Sequence, residues 1–186
     1  FPVIDPVNAT AFLVNGHSEG GASSNPYTET VQRALARLFE ELQVVNIASV
    51  QNTPAGSFNP DSNGNGIGLQ ARDGDPPYQG GSFIDAIVAT GTPGAVTQTG
   101  AANVIGRSYA DIVQDMVDAY AYGQTDGTTS SVYGGWVYGW YNNSGNGVTD
   151  NSANQWAAIG LLAAERVFGT IIPPEIKTNN VNGTIN

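Results

Sequence analysis

The sequence has no cysteine and a single histidine, and both scarcities limit the chemistry that it can support. Without cysteine the chain forms no disulfide and offers no thiolate ligand for zinc. Only 6 residues are basic against 16 acidic ones, which gives a net charge of −10. No basic surface for nucleic acid is therefore expected. No apolar run approaches the roughly 20 residues that span a bilayer, so we expect no membrane span.

Glycine and proline are plentiful, with 24 and 10 residues, and they indicate long ordered loops between helices. At 186 residues the chain is long enough for one domain, which we assign to 1–186. Asn25 and Pro26 predict the start of an amphipathic helix, and Ser108 predicts the N-cap of another. Residues 51–81 are predicted to be a long loop, and Ser82–Thr90 a short buried helix that follows it.

A second buried helix is predicted after Asp150, Asn151 or Ser152, each of which is a plausible N-cap. It combines Trp156, Gly160 and several alanines into an almost wholly apolar surface, and Gly169 ends it. Gly160 and the alanines allow neighbouring backbones to come close. A helix of this composition belongs inside a packed core.

An internal repeat relates the two halves of the chain. Tyr27 and Tyr109 begin two segments with the same pattern, Y-x-acid-x-V-Q-x-x-aliphatic. Gly64 and Gly145 each begin a Gly-Asn-Gly sequence, and these two sequences are separated by almost the same number of residues as the two tyrosines. The repeats cover approximately 27–100 and 109–169, and each is predicted to pair an amphipathic outer helix with a buried inner one. The polar, proline-interrupted residues 170–186 are predicted to form an extended C-terminal tail.

The segment GGWVY followed by DNSANQWAAIGLLAA resembles the repeats of the terpene cyclase and prenyltransferase superfamily, the α/α-toroid proteins. It is most similar to the bacterial secreted squalene-cyclase-like repeat proteins. The resemblance implies an all-α fold, a partial α/α toroid of about two outer–inner hairpins. The matching residues are Gly134, Gly135, Trp136, Tyr138, Asp150, Asn151, Ser152, Gln155 and Trp156.

The catalytic motifs of that superfamily are absent from the sequence. Its cyclases use an acidic D-x-D-D motif, whereas the nearest string here is Asp73-Gly-Asp75-Pro-Pro. Its protein prenyltransferases bind zinc through Asp, Cys and His, a set that this chain cannot supply. We therefore leave enzymatic activity undecided and expect a protein that is not an enzyme.

A partial calcium-loop motif lies between residues 61 and 72, where D-x-N-x-N-G places alternate oxygens for one ion. The expected twelfth residue is Arg72 rather than glutamate, so Asp73 or Asp75 would have to substitute. The alternative is an Asn-Gly turn that its own side chains stabilise. The candidate ligands for calcium, the one cofactor considered, are Asp61, Asn63, Asn65, Ile67 and Asp73.

Aromatic residues near the repeat motif form a candidate glycan-binding platform, namely Trp136, Tyr138 and Trp140. The alternative is that these rings pack the interior of the repeat, as buried aromatics commonly do. Three sequons provide candidate glycosylation sites, at Asn8, Asn142 and Asn182.

These observations predict a non-enzymatic, secreted structural protein of the cell surface or of a filament, with its signal peptide removed before Phe1. We expect copies to associate head to tail, because stacked hairpins expose an apolar face at each end. In that prediction the tail reaches across a neighbouring subunit. The alternatives are a glycan-binding module that recognises cell-surface glycans, or a polysaccharide-active enzyme on a toroid scaffold.

Overall fold

The computed structural model describes residues 6–54, 56–72, 74–125, 133–139 and 149–185, with side chains described as far as residue 181. Within these residues the chain forms six helices and four short strands. The helices are α1 (Pro6–Val14), α2 (Thr28–Glu40), α3 (Pro76–Val88), α4 (Tyr109–Gly123), α5 (Asn151–Ala163) and α6 (Pro174–Ile185). The strands are β1 (Leu42–Asn46), β2 (Gln51–Thr53), β3 (Gly56–Phe58) and β4 (Ile67–Ala71).

The prediction of an all-α fold is wrong, because 11% of the chain is strand beside 48% helix. Strands β1 and β4 form one antiparallel pair and β2 and β3 another, so the predicted loop 51–81 contains three strands and the start of α3. In the first pair Val44 lies opposite Leu69. The pair packs on α4 at Gly68, where an added Cβ would lie 2.8 Å from the Ala119 Cβ. The fold is therefore mixed α/β.

The predicted helices α2 and α4 are both present, but only α2 is an amphipathic outer helix. Of the 15 residues of α4, 11 are buried, so the prediction of an outer helix there is wrong. Helix α2 buries Val31, Leu35 and Phe39 from the predicted apolar stripe. It begins at Thr28 rather than at Pro26, and the Asn25 side chain accepts a hydrogen bond from the Tyr27 N–H at 3.0 Å instead of capping the helix. Helix α4 has the predicted cap, since the Ser108 hydroxyl accepts the Asp111 N–H at 3.1 Å.

The buried helix α3 is confirmed, although it starts at Pro76, six residues before the predicted Ser82. Helix α5 is present, but only five of its 13 residues are buried, and Ile159 and Leu162 are exposed. The prediction that α5 lies inside the core is therefore wrong. The two helices cross with almost no space between their backbones. A Cβ added to Gly160 would lie 2.8 Å from the Gly81 Cα, and one added to Gly81 would lie 1.9 Å from the Trp156 carbonyl oxygen. Glycine at both positions is what allows this approach.

The end of α5 differs from a regular α-helix. Residues Ala164–Phe168 continue it as a π-helical turn, and Gly169 then ends the helix in the left-handed conformation, with φ of 70°. The predicted stop at Gly169 is therefore confirmed, because a residue without a Cβ adopts this backbone conformation at little cost.

The C-terminal segment 170–186, predicted to be extended, contains helix α6 instead. Pro174 begins the helix, where a missing N–H has no consequence. Ile176 and Asn179 are buried, and the Gln124 side chain donates to the Ile176 carbonyl at 3.0 Å. These contacts hold α6 against its own chain. They are largely polar, so the periodicity of apolar residues in the sequence does not predict the helix. The tail therefore no longer supports head-to-tail association.

Candidate functional site

The Asn-Gly loop between β3 and β4 is organised around the carboxylate of Asp61, which is 7% exposed. One carboxylate oxygen accepts the N–H groups of Gly64 and Asn65, at 2.9 and 3.2 Å, and the other accepts that of Gly66 at 2.8 Å. The Asn63 side-chain oxygen accepts the Asn65 N–H at 3.1 Å. These side-chain oxygens thus accept the backbone N–H groups for which the turn offers no carbonyl acceptor.

Two buried aspartates of α4 hold this loop from below, and sequence reasoning missed both. Asp115 accepts hydrogen bonds from the side-chain amides of Asn63 and Asn65, at 2.6 and 2.8 Å. Its other oxygen pairs with Arg107 at 2.6 Å, so the buried charge has a counter-ion. Asp115 and Asp118 are three residues apart and therefore lie on one face of α4, among its apolar residues. That spacing was the signal that could have revealed them.

Asp118 carries a buried carboxylate without a basic partner among its described contacts. It accepts the Ser62 N–H at 3.1 Å and the Gln114 side-chain amide at 2.8 Å. Burial raises the pKa of Asp118 to about 6, the hydrogen bonds from Gln114 and Ser62 oppose that rise, and the negative charge of Asp115 adds to it.

The predicted calcium ligands come together only in part. Asp61, Asn63 and Asn65 converge in one loop, but their side-chain oxygens are already engaged by backbone N–H groups. Ile67 appears in this network as a donor, through its N–H to Asn65 at 2.9 Å, and Asp73 lies outside the described residues. Among the residues that the structure describes, no group of three or more His, Cys, Asp or Glu is arranged to hold a metal ion. Calcium binding stays a prediction.

Trp136 is placed in the interior, with 1% of its surface exposed, so this member of the predicted glycan platform is not available for stacking. Its indole N–H donates to the Tyr120 carbonyl at 3.0 Å, and its ring meets that of Tyr120 edge-on at 5.8 Å. For Trp136, the alternative that the ring packs the interior of the repeat is therefore the correct one. Trp140 lies outside the described residues.

Tyr138 does lie on the surface, together with two aromatic residues that we did not predict as site residues. Tyr138 and Tyr78 are 42% and 37% exposed, and their ring centroids are 5.7 Å apart. Trp156, which is partly exposed, meets Tyr78 at 6.2 Å and nearly at right angles. We call Tyr78, Tyr138 and Trp156 the aromatic patch. Tyr78 lies in the first turn of α3 and Trp156 in the second turn of α5. These helices hold corresponding positions in the predicted repeat, so the repeat was the signal that relates the two residues.

Polar groups border the aromatic patch at the start of α5. The Asp150 carboxylate caps the helix by accepting the Ser152 N–H at 2.8 Å, which confirms Asp150 among the three predicted caps. It also accepts the Ser152 hydroxyl, and Ser152 and Tyr138 share a hydrogen bond of 2.8 Å. The Ser152 side chain and N–H hold the pKa of the Asp150 carboxyl below its ordinary value. The patch therefore combines ring faces, hydroxyl groups and a carboxylate.

The three sequons fall in different circumstances. Asn8 is exposed on α1, Asn142 lies outside the described residues, and Asn182 belongs to α6 with its side chain outside the description. Glycosylation at all three stays a prediction.

Comparisons with protein-family models, with curated proteins and with solved structures find no match for this chain. The resemblance to the α/α-toroid repeats therefore stays a prediction. Within the described residues, none of the helices has the length and apolar character needed to cross a membrane.

Proposed function

We propose that this chain is a non-enzymatic extracellular module that binds carbohydrate through the aromatic patch. The observation that carries the proposal is the grouping of Tyr78, Tyr138 and Trp156, in which the Tyr78 ring centroid lies 5.7 Å from that of Tyr138 and 6.2 Å from that of Trp156. Clustered, partly exposed aromatic rings are an unusual feature of a surface without a binding role.

The chemistry of the patch suits a sugar ring. The C–H faces of a pyranose are apolar and pack on aromatic faces, while its hydroxyl groups need hydrogen-bond partners. The hydroxyls of Tyr138 and Ser152 and the carboxylate of Asp150 supply such partners beside the rings. Because Tyr78 and Trp156 belong to the helices α3 and α5, ordering these two rings on binding would cost little conformational entropy.

The proposal is tested by glycan-array screening followed by calorimetry with the best ligand, comparing wild type with Tyr78→Ala and Trp156→Ala. Each stacked ring contributes about 0.5–1.5 kcal/mol, so each variant is expected to weaken binding about two- to tenfold. Tyr27→Ala is the matched control, since Tyr27 is 43% exposed but packs against His17 and Phe12 elsewhere. Equal losses in the control and the patch variants would refute the proposal.

A second candidate function is assembly of a structural polymer, and the uncharged helices α1 and α5 favour it. In a chain of net charge −10, neither helix contains a charged residue. Val14 on α1 is 70% exposed, and Ile159 and Leu162 on α5 are 38% and 44% exposed. Both helices pack against α3 and leave these apolar side chains uncovered. Surfaces without charge are the ones on which like-charged copies can meet at least electrostatic cost.

Light scattering over a concentration series tests the assembly proposal. Wild type is expected to form particles larger than a monomer, and Leu162→Glu to remain monomeric, because it places a charge on the uncharged face. Val50→Glu is the control, as Val50 is 59% exposed in the turn between β1 and β2. A wild-type protein that stays monomeric at high concentration would exclude assembly of this chain alone.

A further inference from the structure

We propose that the aromatic patch selects amine-bearing saccharides, that is, oligomers of unacetylated hexosamine, over neutral and acidic ones. This inference rests on the carbohydrate-binding function proposed above and names the ligand class of the same site. It follows from the positions of the acidic and basic side chains relative to the three rings.

Two carboxylates lie at the helix ends that carry the patch. Asp150 immediately precedes α5 and is linked to Tyr138 through Ser152. Asp75 immediately precedes α3, three residues before Tyr78, and is exposed. Its side chain makes no capping hydrogen bond with α3 in the described structure, so it does not have to give up a helix contact to meet a ligand.

Four of the six basic side chains pair with carboxylates other than Asp75 and Asp150. Arg107 pairs with the buried Asp115, and Lys177 pairs with Glu165. Arg166 follows Trp156 by ten residues, which places it about 15 Å further along the helix axis. Arg33 and Arg37 on α2 pair with the carboxylates of Glu29, Glu40 and Glu41. Arg72, which follows β4, donates to the backbone carbonyl of Glu40.

An ammonium group gains two favourable interactions at such a surface that a neutral amide does not. It is attracted to the electron-rich face of Trp or Tyr, and it is attracted to the carboxylates that border the rings. A uronic acid or a sulfated sugar would instead meet the same carboxylates as like charges. The rings would still provide stacking for all three classes, so charge decides among ligands of equal shape.

The test is calorimetric titration of the full chain with the hexamer of glucosamine, the hexamer of N-acetylglucosamine and a hexamer of galacturonic acid. The first two share one backbone and differ in the charge of the nitrogen. We expect the glucosamine hexamer, with its amines protonated, to bind about tenfold more tightly than its acetylated counterpart, and the galacturonate to bind most weakly. Raising the salt concentration should reduce the difference.

Variants separate local selection from general attraction to an acidic protein. Asp150→Asn keeps a good N-cap on α5, so the helix is retained while the charge is removed, and Asp75→Asn removes the second charge. Each is expected to weaken glucosamine-hexamer binding about threefold. Asp75→Asn should leave N-acetylglucosamine-hexamer binding unchanged, and Asp150→Asn, whose amide oxygen still accepts hydrogen bonds, should weaken it less than it weakens glucosamine-hexamer binding. Asp111→Asn is the matched control, an exposed acid in the first turn of α4, and it should change neither.

The outcomes distinguish this inference from the function on which it rests. Equal or tighter binding of the acetylated hexamer overturns amine selection and leaves carbohydrate binding in place. A loss with Asp111→Asn as large as with Asp150→Asn also overturns it, since the attraction would then be general. If none of the three hexamers binds, and no ligand binds in the array, the proposed function itself is refuted.

Discussion

Replacing Gly81 with alanine tests whether the crossing of α3 and α5 determines the stability of the fold. The added Cβ would lie 1.9 Å from the Trp156 carbonyl oxygen, where real contacts essentially never fall below 3.0 Å. The difference of about 1.1 Å has to be taken up by moving one helix against the other, since the contact is with backbone. Because the added Cβ meets backbone, we expect an overpacking cost at the upper end of the usual range, about 3 kcal/mol, and the better helix propensity of alanine offsets about 1 kcal/mol of it.

The net expectation is a loss of about 2 kcal/mol in the free energy of unfolding, measured by urea denaturation. For a chain of this size that corresponds to a melting temperature lower by about 4–8 °C. Gly20→Ala is the control, because nothing lies within 4 Å of its added Cβ, and it should change stability by less than about 0.5 kcal/mol. If Gly81→Ala is as stable as Gly20→Ala, the close helix approach described here is incorrect.

Three further predictions concern buried polar groups. Asp118→Asn should flatten the pH dependence of stability. The folded-state pKa of about 6 lies above the ordinary carboxyl pKa of 3.8, so the wild type loses stability as pH rises from about 4 to 6, and denaturation at several pH values measures the slope. Asp61→Ala should cost about 2–3 kcal/mol, because the N–H groups of Gly64 and Gly66 lose their acceptor while that of Asn65 keeps the Asn63 oxygen. If calcium binds the loop, EDTA should lower the melting temperature of wild type alone. Trp136→Phe should cost about 1–3 kcal/mol because the Tyr120 carbonyl loses the indole donor, and an unchanged unfolding midpoint would contradict the buried contact.

Helices α2 to α5 were predictable because each one carries its signal locally. The apolar stripe of α2, the Ser108 and Asp150 caps and the Gly169 stop all lie within a few residues of the feature that they determine. Such signals need no knowledge of the rest of the chain. The close approach at Gly160 was predictable for the same reason, since it follows from side-chain size within one helix.

The strands and the tail helix escaped because their partners are distant in sequence. Strand β1 pairs with β4, so Val44 lies opposite Leu69, and strands of three to five residues are too short to establish an alternating pattern. Helix α6 is anchored by Gln124 and by a buried asparagine, Asn179, rather than by an apolar face. Here tertiary contacts override the weak local preferences.

The candidate site was predictable only where a motif contained its own partners. Asp61, Asn63 and Asn65 close their loop among themselves, so the sequence placed them together. Asp115, by contrast, meets that loop from some 50 residues away. The aromatic patch likewise joins Tyr78 to Trp156 across two repeats. Which rings become exposed depends on this packing, and Trp136 turned inward although its sequence context resembles that of Tyr138.

The helix crossing also sets the geometry of the aromatic patch, because Tyr78 and Trp156 belong to the helices that meet at Gly81. A shift of α5 that relieves the clash in Gly81→Ala should therefore move the two rings apart and weaken ligand binding. Leu35→Ala provides a variant destabilised by about 2–5 kcal/mol through a cavity in α2, away from the patch. Both are compared by calorimetry well below their melting temperatures, where both are folded. Weakened binding in Gly81→Ala with wild-type affinity in Leu35→Ala would tie the patch to the crossing, whereas equal affinities would show that the rings keep their places without it.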